Sequence, residues 1–218
     1  MKPYTEYWYN DLIRQSAELL LGSKLMGDLD SYNRYSELYD YLIKRRKNVM
    51  QVKLTPFKKA SYFAISKHGN QTYKGLPYFY HLEQVVQTLY YFGYESDEII
   101  ITAGYLHDII DDTPTSYNEL VKDFGEEVAD IVYAVTDELG KNKKERKLKT
   151  MPKIKANKKA IIVKLADRIA NVSSGGEFND MYIQEYKQFR EDLYNSFDSD
   201  ERVHAMWRHL DSILLENK

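Results

Sequence analysis

The chain contains no cysteine, which excludes a disulfide framework, a thiolate-bound zinc and a cysteine nucleophile. Strong metal ligands are thereby restricted to histidine and carboxylate, and the setting that fits is a reducing, cytoplasmic one. No apolar run approaches the ~18 residues that a membrane span requires. A secretory apolar core is missing between Met1 and Leu20 as well, because Glu6, Asn10, Asp11, Arg14 and Gln15 interrupt it. A dominant charge is also lacking: 31 basic residues against 33 acidic ones leave a formal net charge of −2. No global field gathers nucleic acid, so any site for a polyanion must be local. The expected partner is therefore a small molecule, with neither nucleic acid nor membrane, while a homo-oligomer is left open. What the chain does have is length and tyrosine. Its 218 residues suit one domain, or one domain with an appendage, and a chain of that size buries roughly 70% of its unfolded surface. The 20 tyrosines read mostly as amphipathic surface and groove lining.

Periodicity is helical almost throughout, and no stretch alternates strictly enough to make a half-buried strand, so the expected class is all-α. One helix is expected from about Glu6 to Leu21. Another follows Asp30 and Ser31, with the stripe Tyr35, Leu38, Tyr39, Leu42 and Ile43. Its basic end, Lys44 to Lys47, complements a helix dipole. Thr55-Pro56 reads as an N-cap and first-turn proline opening a helix to about His68. The loop HGNQTYKGLP, residues 68 to 77, cannot stay helical with two glycines and a proline. A helix from Phe79 to Phe92 closes at Gly93 and carries His81 in its first turn. Ser96 is expected to cap a helix that continues through His107, Asp108, Asp111 and Asp112 to Pro114. Ser116 and Glu119 form a capping box for a short helix ending at Gly125, and a further helix spans about Glu126 to Glu138. After a basic stretch, Lys141 to Lys149, and Pro152, the run Lys159 to Val172 has a broad apolar face with Asp167 and Asn171 four residues apart. Two amphipathic helices, about 179–197 and 199–215, complete the chain. The expected organisation is an N-terminal helical extension, residues 1–54, and a domain over 55–218.

His107-Asp108 ends a strongly apolar helix, so both groups stand at the rim of a core, where unpaired polar side chains are costly. A divalent cation satisfies them if His81 and Asp167 converge on it, giving two imidazoles and two carboxylates with room for water. Asp111 and Asp112 follow one turn later and can share the metal-facing side, where a carboxylate orients or deprotonates water.

The segments KHGNQ at 67–71, GLPYFYH at 75–81, LHDIIDDT at 106–113, FGEEV at 124–128, VTD at 135–137, KERK at 144–147 and KLADRIAN at 164–171 resemble, in order, the HD-type hydrolase domain of the RelA/SpoT superfamily. The pattern is most like its small stand-alone alarmone hydrolases, such as the metazoan SpoT homologue. The resemblance implies an all-α HD fold and Mn²⁺ on His81, His107, Asp108 and Asp167, with Fe²⁺ or Zn²⁺ also compatible with those donors. It implies removal of the 3′-pyrophosphate from (p)ppGpp-like nucleotides. It further implies catalytic roles for Asp111 and Asp112, and substrate contacts from Lys74, Lys143, Arg146 and Asn171. Three departures stand out. Asp111 occupies a position that is glutamate in the family, Leu82 replaces a proline, and Tyr73 replaces an arginine in a shorter loop. Tyrosine can stack on a base but lacks the guanidinium fork. Other readings stay open: an adenine alarmone as substrate, a general HD nucleotide phosphatase or phosphodiesterase (including an NADPH phosphatase), and a non-catalytic alarmone-binding or antitoxin-like protein.

Overall fold

The computed structural model describes residues 23–25, 27–33, 36–37, 39–40, 55–174, 179–196 and 200–215. The chain divides into two compact units, Met1–Thr55 and Pro56–Lys218. In the first, a helix begins at residue 29, ahead of the start expected after Asp30 and Ser31, where Asp28 Oδ1 accepts the Ser31 N–H at 3.0 Å. The helix expected over Glu6–Leu21, the stripe residues Tyr35, Leu38, Leu42 and Ile43, and the basic run 44–47 lie outside the described residues. Among those described, no helix is long and apolar enough to cross a membrane.

The second unit is built almost entirely of helices. α1 (Pro56–His68) begins at its proline as expected, although the buried Thr55 hydroxyl has no hydrogen-bond partner and so contributes no cap. The loop after it is not wholly irregular. Thr72–Tyr73 and Leu76–Pro77 form β1 and β2, a two-residue antiparallel ribbon. Its turn, Lys74-Gly75, has positive φ at both positions (50° and 79°), as a tight turn matched to the twist of its strands requires. α2 (Phe79–Tyr91) follows and ends at Gly93, where φ is 80°.

α3 (Glu98–Leu106) is capped by Asp97, whose side chain accepts from the N–H groups of Ile99 and Ile100, rather than by the expected Ser96. A carboxylate at the N-terminus gains from the dipole as well as from the hydrogen bonds. The helix also stops sooner than its apolar pattern implies. His107 and Asp108 form a break, with Asp108 at φ −98° and ψ 0°, and α4 (Ile109–Asp112) restarts beyond it. α5 (Tyr117–Phe124) is capped by Ser116 and closed by Gly125. Only half of the expected box forms, since Glu119 turns its carboxylate to Lys67, 2.9 Å away. α6 (Glu126–Val135) ends three residues short of Glu138, where Thr136 becomes extended.

The basic stretch is itself helical. α7 (Lys143–Ala156) is capped by Asn142 through the Glu145 N–H and contains Pro152. The ring removes one helical hydrogen bond, but Lys153 Nζ fastens the following turn to the carbonyls of Tyr133 and Thr136, at 3.1 and 3.0 Å. α8 (Lys158–Ser173), capped by Asn157, is the central element. It packs against α2, α3, α6 and α7 and against the last two helices, α9 (Asn179–Leu193) and α10 (Glu201–Leu215). Ile161, Leu165, Ile169 and Val172 are buried along it, and each such side chain contributes about 1.5–3 kcal/mol of hydrophobic stabilisation.

Gly104 sets how closely α2 and α3 approach. A Cβ there would sit 2.8 Å from Leu89 Cδ1 and 3.3 Å from Val86 Cγ2, two side chains of α2 that are fully buried. Gly104→Ala is therefore expected to lower the unfolding free energy by about 1–3 kcal/mol through overpacking. Urea unfolding measures this, and an unchanged midpoint would contradict the close approach of the two helices.

Candidate metal centre

Asp167, Arg168 and Asn171 are buried polar residues in the otherwise apolar middle of α8. Such groups must find partners. Asp167 finds them in two directions. Its Oδ1 accepts the Asn171 amide at 2.5 Å, and its Oδ2 pairs with Lys164 Nζ at 3.0 Å. That same Oδ1 lies 3.5 Å from His81 Nε2 and 3.7 Å from His107 Nε2.

His81 reaches the cluster from the first turn of α2, and His107 and Asp108 reach it from the break between α3 and α4. The break matters because adjacent side chains on an intact helix diverge by about 100°, whereas here His107 Nε2 and Asp108 Oδ2 come within 3.0 Å. Asp108 Oδ2 is also 3.5 Å from His81 Nε2. All four sequence-predicted ligands thus meet. His81, His107 and Asp108 form a group able to hold a metal ion, with donor atoms within 4.8 Å of one another. Asp167 borders that group through the two distances given above.

His107 shows best that an ion fits. Its Nδ1 lies 2.9 Å from the Gly104 carbonyl, which can only accept, so Nδ1 carries the hydrogen and Nε2 is the nitrogen that would ligate an ion. Nε2 is fully buried, faces the carboxylates and makes no hydrogen bond. His81 Nδ1 is buried without a partner as well. Burial alone would lower the His107 imidazole, but the neighbouring Asp108 and Asp167 carboxylates push it up to about 10. His81 is raised by the same two carboxylates against its burial. Burial would raise both carboxyls, yet His107 holds Asp108, and Lys164 holds Asp167, well below the usual carboxylate range.

The acidic pair separates. Asp112 keeps its place one turn after Asp108, its N–H bonded to the Asp108 carbonyl at 2.9 Å. Asp111 turns aside, and both its carboxylate oxygens accept the Asp137 N–H at 3.2 Å. The protein around its carboxyl pushes Asp111 up to about 6, with the Asp108 charge adding to the effect. Of the expected substrate contacts, Tyr73 donates its hydroxyl to Asn171 Oδ1 at 2.5 Å and sets its ring 4.8 Å from that of His81. Lys74 Nζ donates to the Asn171 carbonyl at 3.2 Å. Lys143 and Arg146 lie apart from these, paired with Glu185 at 2.8 Å and Asp137 at 3.8 Å.

Sequence reasoning did not single out Tyr78 or Lys164. Tyr78 donates its hydroxyl to Asp108 Oδ2 at 2.7 Å, and its ring stacks on His68 at 4.3 Å. Its burial and the nearby carboxylates raise it, so it stays a neutral donor. The available signals were its place three residues before His81 and, for Lys164, a spacing of three to Asp167.

The raised imidazoles fix a pH dependence. For His107 the protonated form stabilises the fold fully below pH ~6.5, and that contribution is lost as pH rises through about 10. A bound cation must displace those protons, so at pH 7.5 binding should release about one proton or more per ion and tighten with rising pH. Calorimetric titration with MnCl₂ in buffers of different ionisation enthalpy measures the release, and a heat independent of buffer would refute it.

Comparison with known proteins identifies a family. The family model for the HD domain matches residues 60–200. The guanosine-3′,5′-bis(diphosphate) 3′-pyrophosphohydrolase MESH1 of Danio rerio is 39% identical over 114 residues, 50% of this chain and 63% of that protein. The chain thus spans just under two thirds of that relative. The Xenopus tropicalis MESH1 is 33% identical over 143 residues, 62% of this chain and 80% of that protein. Among solved structures, a metazoan ortholog of SpoT, described as hydrolysing ppGpp, superposes with a TM-score of 0.64 at 26% identity, covering 77% of this chain and 98% of that one. The chain belongs to the HD-domain family, among its MESH1-like and SpoT-like members.

Proposed function

We propose that the domain over residues 55–218 is a hydrolase that removes the 3′-pyrophosphate from guanosine 3′,5′-bis(diphosphate) and related alarmones. In this reading residues 1–54 are an extension, and the cofactor is a single Mn²⁺ on His81, His107, Asp108 and Asp167. The observation that carries the reading is the buried Nε2 of His107, which makes no hydrogen bond and faces two carboxylates, in a chain whose relatives bear this activity in their names. Nitrogen and oxygen donors without thiolate suit Mn²⁺, Fe²⁺ or Zn²⁺. Bound there, a divalent ion supplies Lewis acidity toward a phosphoryl oxygen and makes water more acidic.

The chain's own groups supply the rest. Tyr78 orients Asp108, while Lys164 and Asn171 orient Asp167. Asp111, pushed up to about 6, is matched to taking a proton from water near neutral pH. Asp112 adds its charge to that of Asp108 beside the Tyr78 hydroxyl. Lys74 offers a cation to the substrate's phosphates from the ribbon turn. Tyr73 offers a ring in place of a guanidinium fork, which supports stacking on either purine and brings ppApp and NADPH into the substrate range. The absence of cysteine supports a reducing, cytoplasmic site of action.

Incubating the protein with ppGpp, ppApp and NADPH, with and without Mn²⁺, should release pyrophosphate from the 3′-diphosphates only when the metal is present. Orthophosphate from ordinary mononucleotides, with the alarmones intact, would overturn the reading. Asp108→Ala should lose both metal and turnover. Asp111→Asn should keep the metal and slow turnover by about 10²–10⁴-fold; equal metal loss in both variants, by elemental analysis, would contradict the separate roles.

A further inference from the structure

Tyr78 donates to a carboxylate of the cluster, and the groups that hold Tyr78 lie outside that cluster. Its ring is stacked on His68 at 4.3 Å with 7° between the planes, and it meets the His81 ring edge-on at 5.8 Å and 85°. The His68 imidazole therefore backs the phenol whose hydroxyl lies 2.7 Å from Asp108 Oδ2. That hydroxyl also interacts with the Asp112 carboxylate.

His68 is the last residue of α1 and is only 4% exposed. Its Nδ1 lies 2.8 Å from Gln71 Oε1, and Gln71 Nε2 donates to the Asp112 carbonyl at 2.8 Å. A carbonyl only accepts, so the Gln71 amide must present its nitrogen to Asp112, and His68 Nδ1 must carry the hydrogen that its oxygen receives. The backbone repeats the link: the Gln71 N–H donates to the His68 carbonyl at 3.0 Å, and the Tyr78 N–H to the Gln71 carbonyl at 2.9 Å. His68 Nε2 is buried and makes no hydrogen bond among the described residues, which is costly. Phenylalanine would stack on Tyr78 without that cost, so the bond from Nδ1 to Gln71 is what distinguishes histidine here.

Two connections thus run from His68 into the site. One passes through the Tyr78 ring to Asp108, and the other through the Gln71 amide to the backbone of Asp112, the last residue of α4. Outer groups of this kind set the orientation of metal-binding carboxylates. We propose that His68 and Gln71 are a positioning pair: the His68 ring fixes Tyr78 and through it the Asp108 oxygen, while the Gln71 amide fixes the end of α4 that carries Asp111 and Asp112. The inference rests on the metal-dependent hydrolase reading of the site. It separates metal holding from turnover, because the ring stack serves the ligand and the amide serves the acidic pair.

Calorimetric titration with MnCl₂ and steady-state turnover of ppGpp by the full chain, on variants with native melting curves, test this. His68→Phe keeps the stack and gives up the bond to Gln71. Its Mn²⁺ affinity should stay within about threefold of the parent, while kcat falls about tenfold with KM unchanged. Gln71→Met should behave alike. His68→Leu keeps neither connection and should lose about tenfold in both Mn²⁺ affinity and kcat. A merely structural pair would not split the two readouts. Equal Mn²⁺ affinity in His68→Phe and His68→Leu overturns the proposal, as does an unchanged kcat in Gln71→Met. If His68→Leu does not fold, Tyr78→Phe, which lacks the hydroxyl that reaches Asp108, sets the scale instead. His68→Phe weakening Mn²⁺ as much as Tyr78→Phe then overturns it. A parent that binds Mn²⁺ but cleaves no 3′-diphosphate sinks the substrate reading alone, and the Mn²⁺ comparison still decides the positioning role.

Discussion

Two imidazole nitrogens each lie 3.0 to 3.7 Å from both of two carboxylates, the four groups coming from three parts of the chain. Nothing local to any one of them brings this about. The close contact at Gly104 lets α2 and α3 lie against each other, and α8, buried along its middle, carries Asp167 between them. The break at His107 and Asp108 turns two neighbouring side chains toward one point. Around this meeting the remaining lone pairs are taken up by Tyr78, Lys164 and Asn171, so each carboxylate keeps a defined orientation.

The same principle of satisfied charge extends outward. Asp111 is fixed by the Asp137 N–H, and Arg146 faces the Asp137 carboxylate. α7 is thereby linked to the acidic pair, while its lysines reach α9 through Glu185. The short ribbon has a corresponding role. Its turn carries Lys74 in a left-handed conformation, which side chains adopt at some cost, and this places both Tyr73 and Lys74 on Asn171.

Much of this was legible in the residues. Helices opened by Ser116 or Pro56 and closed by Gly93 or Gly125 carried their boundaries in single side chains of known preference. The four residues of the cluster were legible as a set and through the family resemblance, since each histidine alone suits a bland reading. The break at His107 was not, because no glycine or proline marks it and the apolar pattern runs across it. The displaced cap at Asp97 reflects a choice between adjacent cap formers that sequence alone does not rank. Pro152 suggested a boundary, whereas α7 continues through it because Lys153 fastens the next turn to α6 and the residues after it. Tyr78 was hidden among 20 tyrosines, and only the fold shows which one meets Asp108.

The central claim is that His81, His107, Asp108 and Asp167 share one ion. Crystals grown with MnCl₂ and measured for anomalous scattering at the manganese edge address it directly. The account predicts a single strong peak bonded to all four side chains. A peak elsewhere, or one whose coordination leaves out Asp167 and a histidine, would contradict it.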